Sequence, residues 1–579
     1  MLKQPAIADL GVISDRHGCA LVAKDATIHW YTPKRFDAPA VISSLLDAEK
    51  GGFWQVNADN LIFLDRQYQD RSSILRTYYA MGGKGLTITD LMPLGTLSKG
   101  ILRLFSPVPS TLYNTLKLRG DYGLEEQECQ QLGNTKLFFP SLDLYLHCSH
   151  ALSVNGELIS FEIEAGADGW AYLTDTNTFD QNQIADLLRV TLNNWAKVES
   201  LVDYHGPYEN QVRYSLRALQ QMVYEPTGGI IAAATTSLPE EIGGERNYDY
   251  RYVWMRDAAL ITSSLTQIIT TGELEEKFLA FIAGAMKKNG QQHVSCFYSI
   301  DQNTVSPTIR ELDLSGYLES RPVQIGNSAA EQFQLDAEAN ILITCSLIYQ
   351  KSGKVSHWDV VGGIADFICK HWENKDNGIW EEEQQQHYTS SKAFAARGLE
   401  LIAPYQKDKA IAERWLANAA MIRNYINENC ITAKGAYAVH AGSQDVDLTA
   451  ALYVPFGFDK PDSLAMKSTI LEIEKGYAEG ELYRRHLLEF DSSREGVFLA
   501  GSCWMAHYYA LAGNLPKSKS ILDAVLALSN DLGFLSEEAN TITGELLGNF
   551  PQTFVHSSLI CAVNGYKLAL NGKESIVKL

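Results

Sequence analysis

The chain has 579 residues, of which 46% are hydrophobic and 20% charged, and its formal net charge is -20 at pH 7. This length is too great for one hydrophobic core, so the sequence predicts two or more domains. The acidic balance argues against nucleic acid as a partner, because nucleic-acid binding needs clustered Lys and Arg. The sequence contains no run of about 18 apolar residues, so no membrane span is predicted.

The amino terminus predicts a cytoplasmic protein, because residues 1–8 contain no apolar segment followed by a small-residue cleavage site. The nine cysteines are odd in number, scattered and never spaced as CxxC, so we interpret them as reduced and mostly buried.

The sequence shows no P-loop, GxGxxG or HExxH motif, and the histidines do not cluster. We therefore expect no cofactor and no metal. The oligomeric state is left open, and a homo-oligomer is compatible with the sequence.

Short apolar segments separated by turn residues fill the first 200 residues. Two hairpins are predicted: segments 20–23 and 28–31 flank a four-residue turn, and segments 74–81 and 86–91 flank a glycine-rich one. Four further strands are predicted at 142–147, 151–154, 158–163 and 170–173. Many short strands with regular turns indicate an antiparallel β-sandwich, which we assign to residues 1–200.

From about residue 205 the pattern changes to long segments with helical apolar spacing. Helices are predicted at 209–224, 257–271, 273–287, 328–352, 358–373, 391–403, 408–428, 463–474, 500–512, 515–529 and 553–571. A short helix near 447–453 would make twelve. Pairing of consecutive helices indicates a barrel of helical hairpins at 229–579, with 201–228 as a linker helix region. The sequence has no fixed-period repeat, which argues against a solenoid.

The first candidate for catalysis is Glu381, which directly follows Trp380 and precedes two more glutamates. A carboxyl held beside an indole is poorly solvated, which favours the protonated form that a general acid needs. The alternative is that the three glutamates form a solvated turn.

The second candidate is Glu537, about 150 residues later. A loop of turn residues follows it and ends at Gly548-Asn-Phe-Pro-Gln552, so that loop should hold a fixed shape and could position a base. Two carboxylates brought together from distant parts of a chain are what hydrolysis of a glycosidic bond requires. The alternative for Glu537 is an ordinary loop acid or a residue near a helix N-cap.

The third candidate is the segment from Tyr250 to Asp257. Its Arg256–Asp257 pair could bind two sugar hydroxyls, and Tyr250 and Trp254 could line the same strand-like segment as stacking surfaces. The alternative is that Asp257 caps the helix that follows it.

As a set these residues resemble glycoside hydrolase family 15, the glucoamylase-type enzymes, in its bacterial two-domain form. The segments that carry the resemblance span nearly the whole chain in the family's order: 8–15 with Trp30, 250–257, 316–317, 321–327, 331–336, 378–381 and 536–552. The resemblance implies an N-terminal β-sandwich, a linker helix and a C-terminal (α/α)6 barrel, which is a multidomain α and β fold.

The resemblance also implies roles for single residues. Glu381 matches the general acid and Glu537 the general base of an inverting mechanism, with carboxyls about 6.5–9.5 Å apart. Arg256 and Asp257 match the pair that holds the non-reducing-end glucose. The positions that match other substrate contacts are Tyr250, Trp254, Arg321, Trp380 and Glu382.

These implications favour an inverting exo-α-glucosidase that releases β-glucose from small α-1,4- or α-1,6-linked oligosaccharides. The alternative is an α,α-trehalase on the same scaffold, which only the shape of the leaving-glucose subsite would distinguish. A phosphorylase would need a phosphate site in place of the base, and Glu537 argues against it. A carbohydrate-binding protein without activity is opposed by the retained pair Glu381 and Glu537.

Overall fold

The computed structural model describes residues 2–270, 272–485 and 495–573 of the chain. Antiparallel strands come first and helices follow, as the sequence predicts. The strands of the N-terminal part are β1 (Leu10–Ser14), β2 (Cys19–Ala23), β3 (Ile28–Thr32), β4 (Phe53–Asn57), β5 (Leu61–Tyr68), β6 (Leu75–Met81), β7 (Lys84–Leu91), β8 (Gly100–Phe105), β9 (Leu112–Lys117), β10 (Arg119–Gly120), β11 (Glu125–Glu126), β12 (Gln130–Gly133), β13 (Lys136–Phe139), β14 (Leu144–Cys148), β15 (Ser153–Asn155), β16 (Leu158–Ile163) and β17 (Gly169–Thr174).

These strands build two large antiparallel sheets. The seven-stranded sheet has the order β1-β2-β3-β4-β9-β16-β15, and the eight-stranded sheet has the order β12-β13-β14-β17-β8-β7-β6-β5. Residues of β6 alternate between buried and half-buried, as expected for a strand with one face in a core. Strand β1 of one sheet contacts β6 and β7 of the other, so the two sheets pack as a sandwich.

Helices dominate the rest of the chain. Among the described residues the α-helices are α1 (Ile184–Glu199), α2 (Glu209–Gln221), α3 (Met255–Thr266), α4 (Glu273–Asn289), α5 (Leu335–Ser352), α6 (Trp358–His371), α7 (Thr389–Ile402), α8 (Lys409–Asn429), α9 (Leu464–Gly476), α10 (Leu499–Leu511), α11 (Leu515–Ala527) and α12 (Thr553–Leu570). The loops between them contain the short strands β18 (Val253–Trp254), β19 (Phe297–Tyr298), β20 (Arg310–Leu312), β21 (Val323–Ile325), β22 (Ala478–Glu479), β23 (Leu482–Tyr483), β24 (Val497–Phe498), β25 (Glu538–Ala539) and β26 (Leu546–Leu547).

The helices form two concentric rings. In the inner ring α12 packs on α3, α3 on α5, α5 on α7, and α10 on α12, while the 3₁₀ helix Leu448–Leu452 packs on α10 and fills the sixth position. Phe394 of α7 contacts Tyr453, directly after that 3₁₀ helix, and so completes the ring. The outer helices α2, α4, α6, α8, α9 and α11 pack against this ring. The architecture is therefore the (α/α)6 barrel that the resemblance implies.

Three predicted helices differ most from the observed ones. The helix predicted at 257–271 spans Met255–Thr266, and its predicted last residue lies outside the described residues. The helix predicted at 328–352 is divided into the 3₁₀ turn Ser328–Glu331 and α5, because Gln332 and Gln334 are extended. The helix predicted near 447–453 is the 3₁₀ helix of the inner ring, and Asp447 caps it through the backbone N–H of Thr449.

Helix α1 was not predicted from the sequence, and it falls inside the segment assigned to the sandwich. Its apolar residues Leu187, Leu188 and Leu192 pack on buried residues of the eight-stranded sheet, among them Leu91 and Leu102. Helix α1 therefore covers the outer face of that sheet. The domain limits at residues 200 and 228 stay predictions. None of the described helices is both long enough and apolar enough to cross a membrane.

Asp90 on β7 and Arg103 on β8 form an ion pair with no exposed side-chain surface. Burial raises the pKa of Asp90 and the Arg103 guanidinium opposes that rise. We expect Asp90→Ala to lower the free energy of unfolding by about 3–5 kcal/mol, because it leaves the guanidinium buried without its partner. Denaturant unfolding measures this loss. The matched control is Asp186→Ala, which breaks an exposed Arg–Asp pair on α1 and should cost less than about 0.5 kcal/mol. An equal loss in both variants would contradict this account.

Candidate active site

An open cavity lies at one end of the barrel. Its empty volume is about 1050 Å³, including the space at its mouth. Five inner helices or the loops that lead into them contribute to its wall. Trp254 and Arg256 (α3), Phe498 (α10) and Gln552 (α12) lie at or directly before a first turn, whereas Gln332 lies in the loop before α5 and Trp380 and Glu381 in the loop before α7. Each outer helix returns the chain to the same end of the barrel, so these residues from distant parts of the sequence meet there.

Glu381 lies in the wall of this cavity with its side chain 22% exposed. Its Oε1 accepts hydrogen bonds from Trp254 Nε1 at 2.7 Å and from Arg256 Nη2 at 3.2 Å. Its backbone is left-handed, with φ +62°, a conformation that costs a residue with a Cβ about 1–2 kcal/mol. Gln332 Nε2 donates to its carbonyl at 2.8 Å and helps to hold this conformation. The solvated-turn alternative for Glu381 is therefore wrong.

The indole that binds Glu381 belongs to Trp254, whereas the sequence analysis expected Trp380. Trp380 Nε1 donates instead to Asp447 at 3.0 Å, and its ring packs on Phe498 and Trp504. Trp380 and Glu382 both line the cavity, and Glu382 is 3% exposed.

Arg256 and Asp257 lie in the first turn of α3, whose N-cap residue is Trp254. Asp257 therefore does not cap the helix, and that alternative is wrong. Arg256 Nε donates to Asp257 Oδ1 at 2.9 Å, and Arg256 Nη1 donates to the Ile379 carbonyl at 2.9 Å. Burial raises the pKa of Asp257, and the Arg256 guanidinium opposes this rise. Both side chains line the cavity, so the structure brings a rigid charged pair to its wall.

Glu537 is buried in the same cavity wall, 5% exposed. Its Oε1 accepts a hydrogen bond from the Tyr250 hydroxyl at 3.1 Å and lies 3.8 Å from Arg485 Nη1. Its Oε2 is buried and has no hydrogen-bond partner among the described residues. Burial and the neighbouring Glu537 raise the pKa of Tyr250, so this hydroxyl keeps its proton and acts as the hydrogen-bond donor to Glu537.

Glu537 belongs to a carboxylate cluster that the sequence analysis missed. The cluster comprises Glu240, Arg246, Arg485, Glu495, Glu537 and Glu538, all buried or nearly so. Four carboxyls face two guanidiniums. Burial and then the charge of Glu240 raise the pKa of Glu537 well above its ordinary value, while Arg485 opposes the rise. Burial also raises the pKa of Glu538 to about 7.

No sequence motif indicates this cluster, because its members are ordinary acidic and basic residues spread over about 300 positions of the chain. Three of them, Glu240, Glu495 and Glu538, place carboxylate oxygens within 4.8 Å of one another, an arrangement that a divalent cation could use. The same carboxylates are paired with Arg246 and Arg485, which supply positive charge there. We assign no metal to this cluster.

Arg321 is the one predicted site residue that the structure does not bring to the cavity. It is exposed, it follows the turn Tyr317–Glu319, and its Nε points to the Ser315 carbonyl at 3.4 Å. Arg321 does not line the cavity, whereas Arg485 supplies a guanidinium to its wall. The placement of Arg321 at the substrate is therefore corrected.

A cavity that presents two acidic side chains together with an Arg–Asp pair and aromatic rings is typical of a glycoside hydrolase. The profile of Glycosyl hydrolases family 15 matches residues 206–515 and 516–564, and that of a Trehalase-like, N-terminal domain matches residues 3–106. The chain belongs to glycosyl hydrolase family 15 and is a glycoside hydrolase.

Curated relatives match nearly the whole chain. A trehalase of Thermoplasma acidophilum is 30% identical over 575 residues, which cover 93% of this chain and 97% of the relative. A trehalase of Mycobacterium tuberculosis is 28% identical over 612 residues, covering 96% and 89%. Among solved structures, a bacterial glucoamylase complexed with acarbose superposes with a TM-score of 0.72 over 98% of this chain and 95% of that one, at 14% identity. The last likeness concerns the fold alone.

Gly548 controls how closely the loop after Glu537 approaches it. Its φ is +78°, and a Cβ built there would lie 3.0 Å from Glu537 Cβ and 3.1 Å from Glu537 Oε2. We expect Gly548→Ala to displace the carboxylate of Glu537, the predicted general base, and to lower kcat at least about tenfold, since small displacements of a group in that role are costly. The matched control is Gly544→Ala in the same loop. Gly544 has φ +72° and no neighbour within 4 Å of a built Cβ, so it carries the same backbone strain without the contact. Equal activity in the two variants would contradict the prediction.

Proposed function

We propose that this chain is an inverting α,α-trehalase, which hydrolyses trehalose to two glucose molecules. The observation that carries the reaction type is that Glu381 and Glu537 face one cavity, each with one carboxyl oxygen anchored by neighbours. The substrate is supported by relatives of about 30% identity over nearly the full length, which are named trehalases, and by the trehalase-like N-terminal domain of this chain. They support the alternative of the sequence analysis better than its main interpretation, a glucoamylase-type exo-glucosidase.

Glu381 acts as the general acid in this proposal. The hydrogen bonds from Trp254 and Arg256 both reach Oε1, so Oε2 is the atom that carries the proton to the glycosidic oxygen. Glu537 acts as the general base. Tyr250 and Arg485 hold its Oε1, so Oε2 takes the proton of the attacking water. Attack from the side opposite to the leaving group inverts the anomeric carbon.

The rest of the wall binds the two glucose rings. Arg256 and Asp257 present a donor and an acceptor that are already oriented, which suits vicinal hydroxyls of the ring that is attacked. Tyr250, Trp254 and Trp380 supply aromatic surface. We assign Glu382 to the leaving glucose, because it directly follows the proposed acid Glu381 and lines the same cavity.

Proton NMR of trehalose hydrolysis tests the proposal. Inversion at one carbon gives β-glucose, while the leaving glucose keeps its α configuration, so the first minutes should show the two anomers in equal amounts. In H₂¹⁸O only the β-glucose should carry the label. Equal labelling of α-glucose would overturn the inverting assignment, and turnover of maltotriose or isomaltose without turnover of trehalose would restore the glucoamylase-type interpretation.

Substitution of each proposed catalytic glutamate tests how much that residue contributes to the rate of trehalose hydrolysis. Glu381→Gln and Glu537→Gln should each lower trehalose turnover by about 10²–10⁴ with unchanged circular dichroism. The control is Glu545→Gln, an exposed glutamate of the same loop as Glu537, bonded to Thr543. Near-normal turnover in either active-site variant would remove that residue from the mechanism.

The pH dependence of kcat/KM should reflect the charges of the carboxylate cluster around Glu537. A general base must be ionised, and the pKa of Glu537 is raised, so kcat/KM should fall as the pH falls through a value above that of an ordinary glutamate. Glu538→Gln removes one of the negative charges that raise this pKa. We expect its acidic limb to move to lower pH by roughly half to one unit, while Glu545→Gln leaves the limb in place. A shift to higher pH would contradict the charge argument.

A further inference from the structure

A second cleft lies where the sandwich, the helices α1 and α2 and the segment before Glu537 meet. Four arginines and two carboxylates dominate its wall: Arg66, Arg71, Glu199, Arg213, Arg217 and Asp531. Its empty volume is about 670 Å³ including open space. In a chain with a net charge of -20, this excess of positive charge in a concave site is a local exception.

The two carboxylates of the cleft are already shared between cations. Asp531 accepts two hydrogen bonds from Arg66, at 2.7 and 2.8 Å, and lies 3.8 Å from Lys24. Glu199 is paired with Arg71 at 3.0 Å and also with Arg213, which has a second carboxylate partner in Glu209 at 3.0 Å. Neither carboxylate is therefore left to neutralise another buried charge.

Arg217 on α2 is that other charge. It is 7% exposed, and its Nη2 donates to the Leu532 carbonyl at 2.7 Å. Its guanidinium lies 4.0 Å from the ring centre of Tyr68 and 5.1 Å from that of Tyr214. Among the described residues it has no carboxylate within ion-pair distance, and its buried Nε has no hydrogen-bond partner. A buried charge is costly unless it is paired, so this arginine is suited to a partner of opposite charge.

We infer that this cleft binds a tetrahedral oxyanion, with Arg217 and Arg71 as its ligands. A phosphate or sulfate group presents several acceptor oxygens to planar guanidinium groups, which bind such oxygens in pairs. Arg71 is 57% exposed and can reach an incoming anion, whereas Arg213 is 11% exposed and donates to Glu199 and Glu209, so it is not a ligand. The site is separate from the cavity that holds Glu381 and Glu537 and does not depend on the proposed substrate.

The cleft is joined to the active site by a short stretch of backbone. Arg217 holds the Leu532 carbonyl, a Cβ at Gly533 would lie 2.6 Å from the Tyr214 ring, and Phe534 lies 5.9 Å from the guanidinium. Glu537 follows three residues after Phe534. Occupation of the cleft should therefore slow hydrogen exchange in the segment 530–537, because the anion fixes the arginine that holds it.

Calorimetric titration of the full-length protein with inorganic phosphate, at constant ionic strength and without saccharide, tests the inference. We expect one saturable site with a Kd below about 1 mM. Arg71→Ala should weaken binding at least about tenfold, since it removes an exposed ligand without disturbing a core. The matched control is Arg189→Ala, an exposed arginine on α1 that does not line the cleft, and it should bind phosphate as the unchanged protein does.

Further measurements distinguish the sources of such an anion. Sulfate and glucose 6-phosphate are titrated in the same way, and tighter binding of either identifies the form of the oxyanion that the cleft prefers. Arg217→Met, if folded, should abolish binding of all three. The inference is overturned if none of them binds saturably up to 10 mM, or if Arg71→Ala and Arg189→Ala bind alike. It is also overturned if hydrogen exchange of the segment 530–537 does not respond to a bound anion.

Discussion

Two acidic side chains of the cavity, those proposed as acid and base, are held by one short aromatic segment. The Tyr250 hydroxyl donates to Glu537, and the Trp254 indole donates to Glu381, and the two rings lie 5.6 Å apart in edge-to-face contact. Residues 250 and 254 share a face of an extended segment, so one strand end sets the positions of two carboxylates that are about 150 residues apart in the sequence. Packing of this segment is the constraint on which the site depends.

Charge burial is the second constraint. The cluster around Glu537 contains more carboxyls than guanidiniums, and low dielectric surroundings make that excess costly. The excess of negative charge appears as raised pKa values of Glu537 and Glu538, because each carboxyl is harder to ionise there than in water. A base whose pKa lies closer to neutrality is a stronger proton acceptor once ionised, so a feature that opposes stability suits the chemistry proposed for Glu537.

The same scaffold does not by itself select a substrate. The chain superposes on a bacterial glucoamylase over nearly its whole length at 14% identity, while the relatives of about 30% identity are trehalases. Fold likeness at such distance reflects the sandwich and the barrel, whose cores depend on apolar pattern. Substrate choice depends on the side chains of the cavity wall, which can differ without changing the fold.

The amino-acid sequence by itself determined the order of strands and helices, because each follows from local periodicity: β2, β3 and β16, for instance, agree with their predicted spans to within one residue. It also indicated Glu381, Glu537 and the Arg256–Asp257 pair through their unusual neighbours. Only the tertiary structure decided which groups meet. It replaced Trp380 by Trp254 as the donor to Glu381, excluded Arg321 and added Arg485, because contacts between distant loops depend on how helices close a ring and no local pattern encodes that closure.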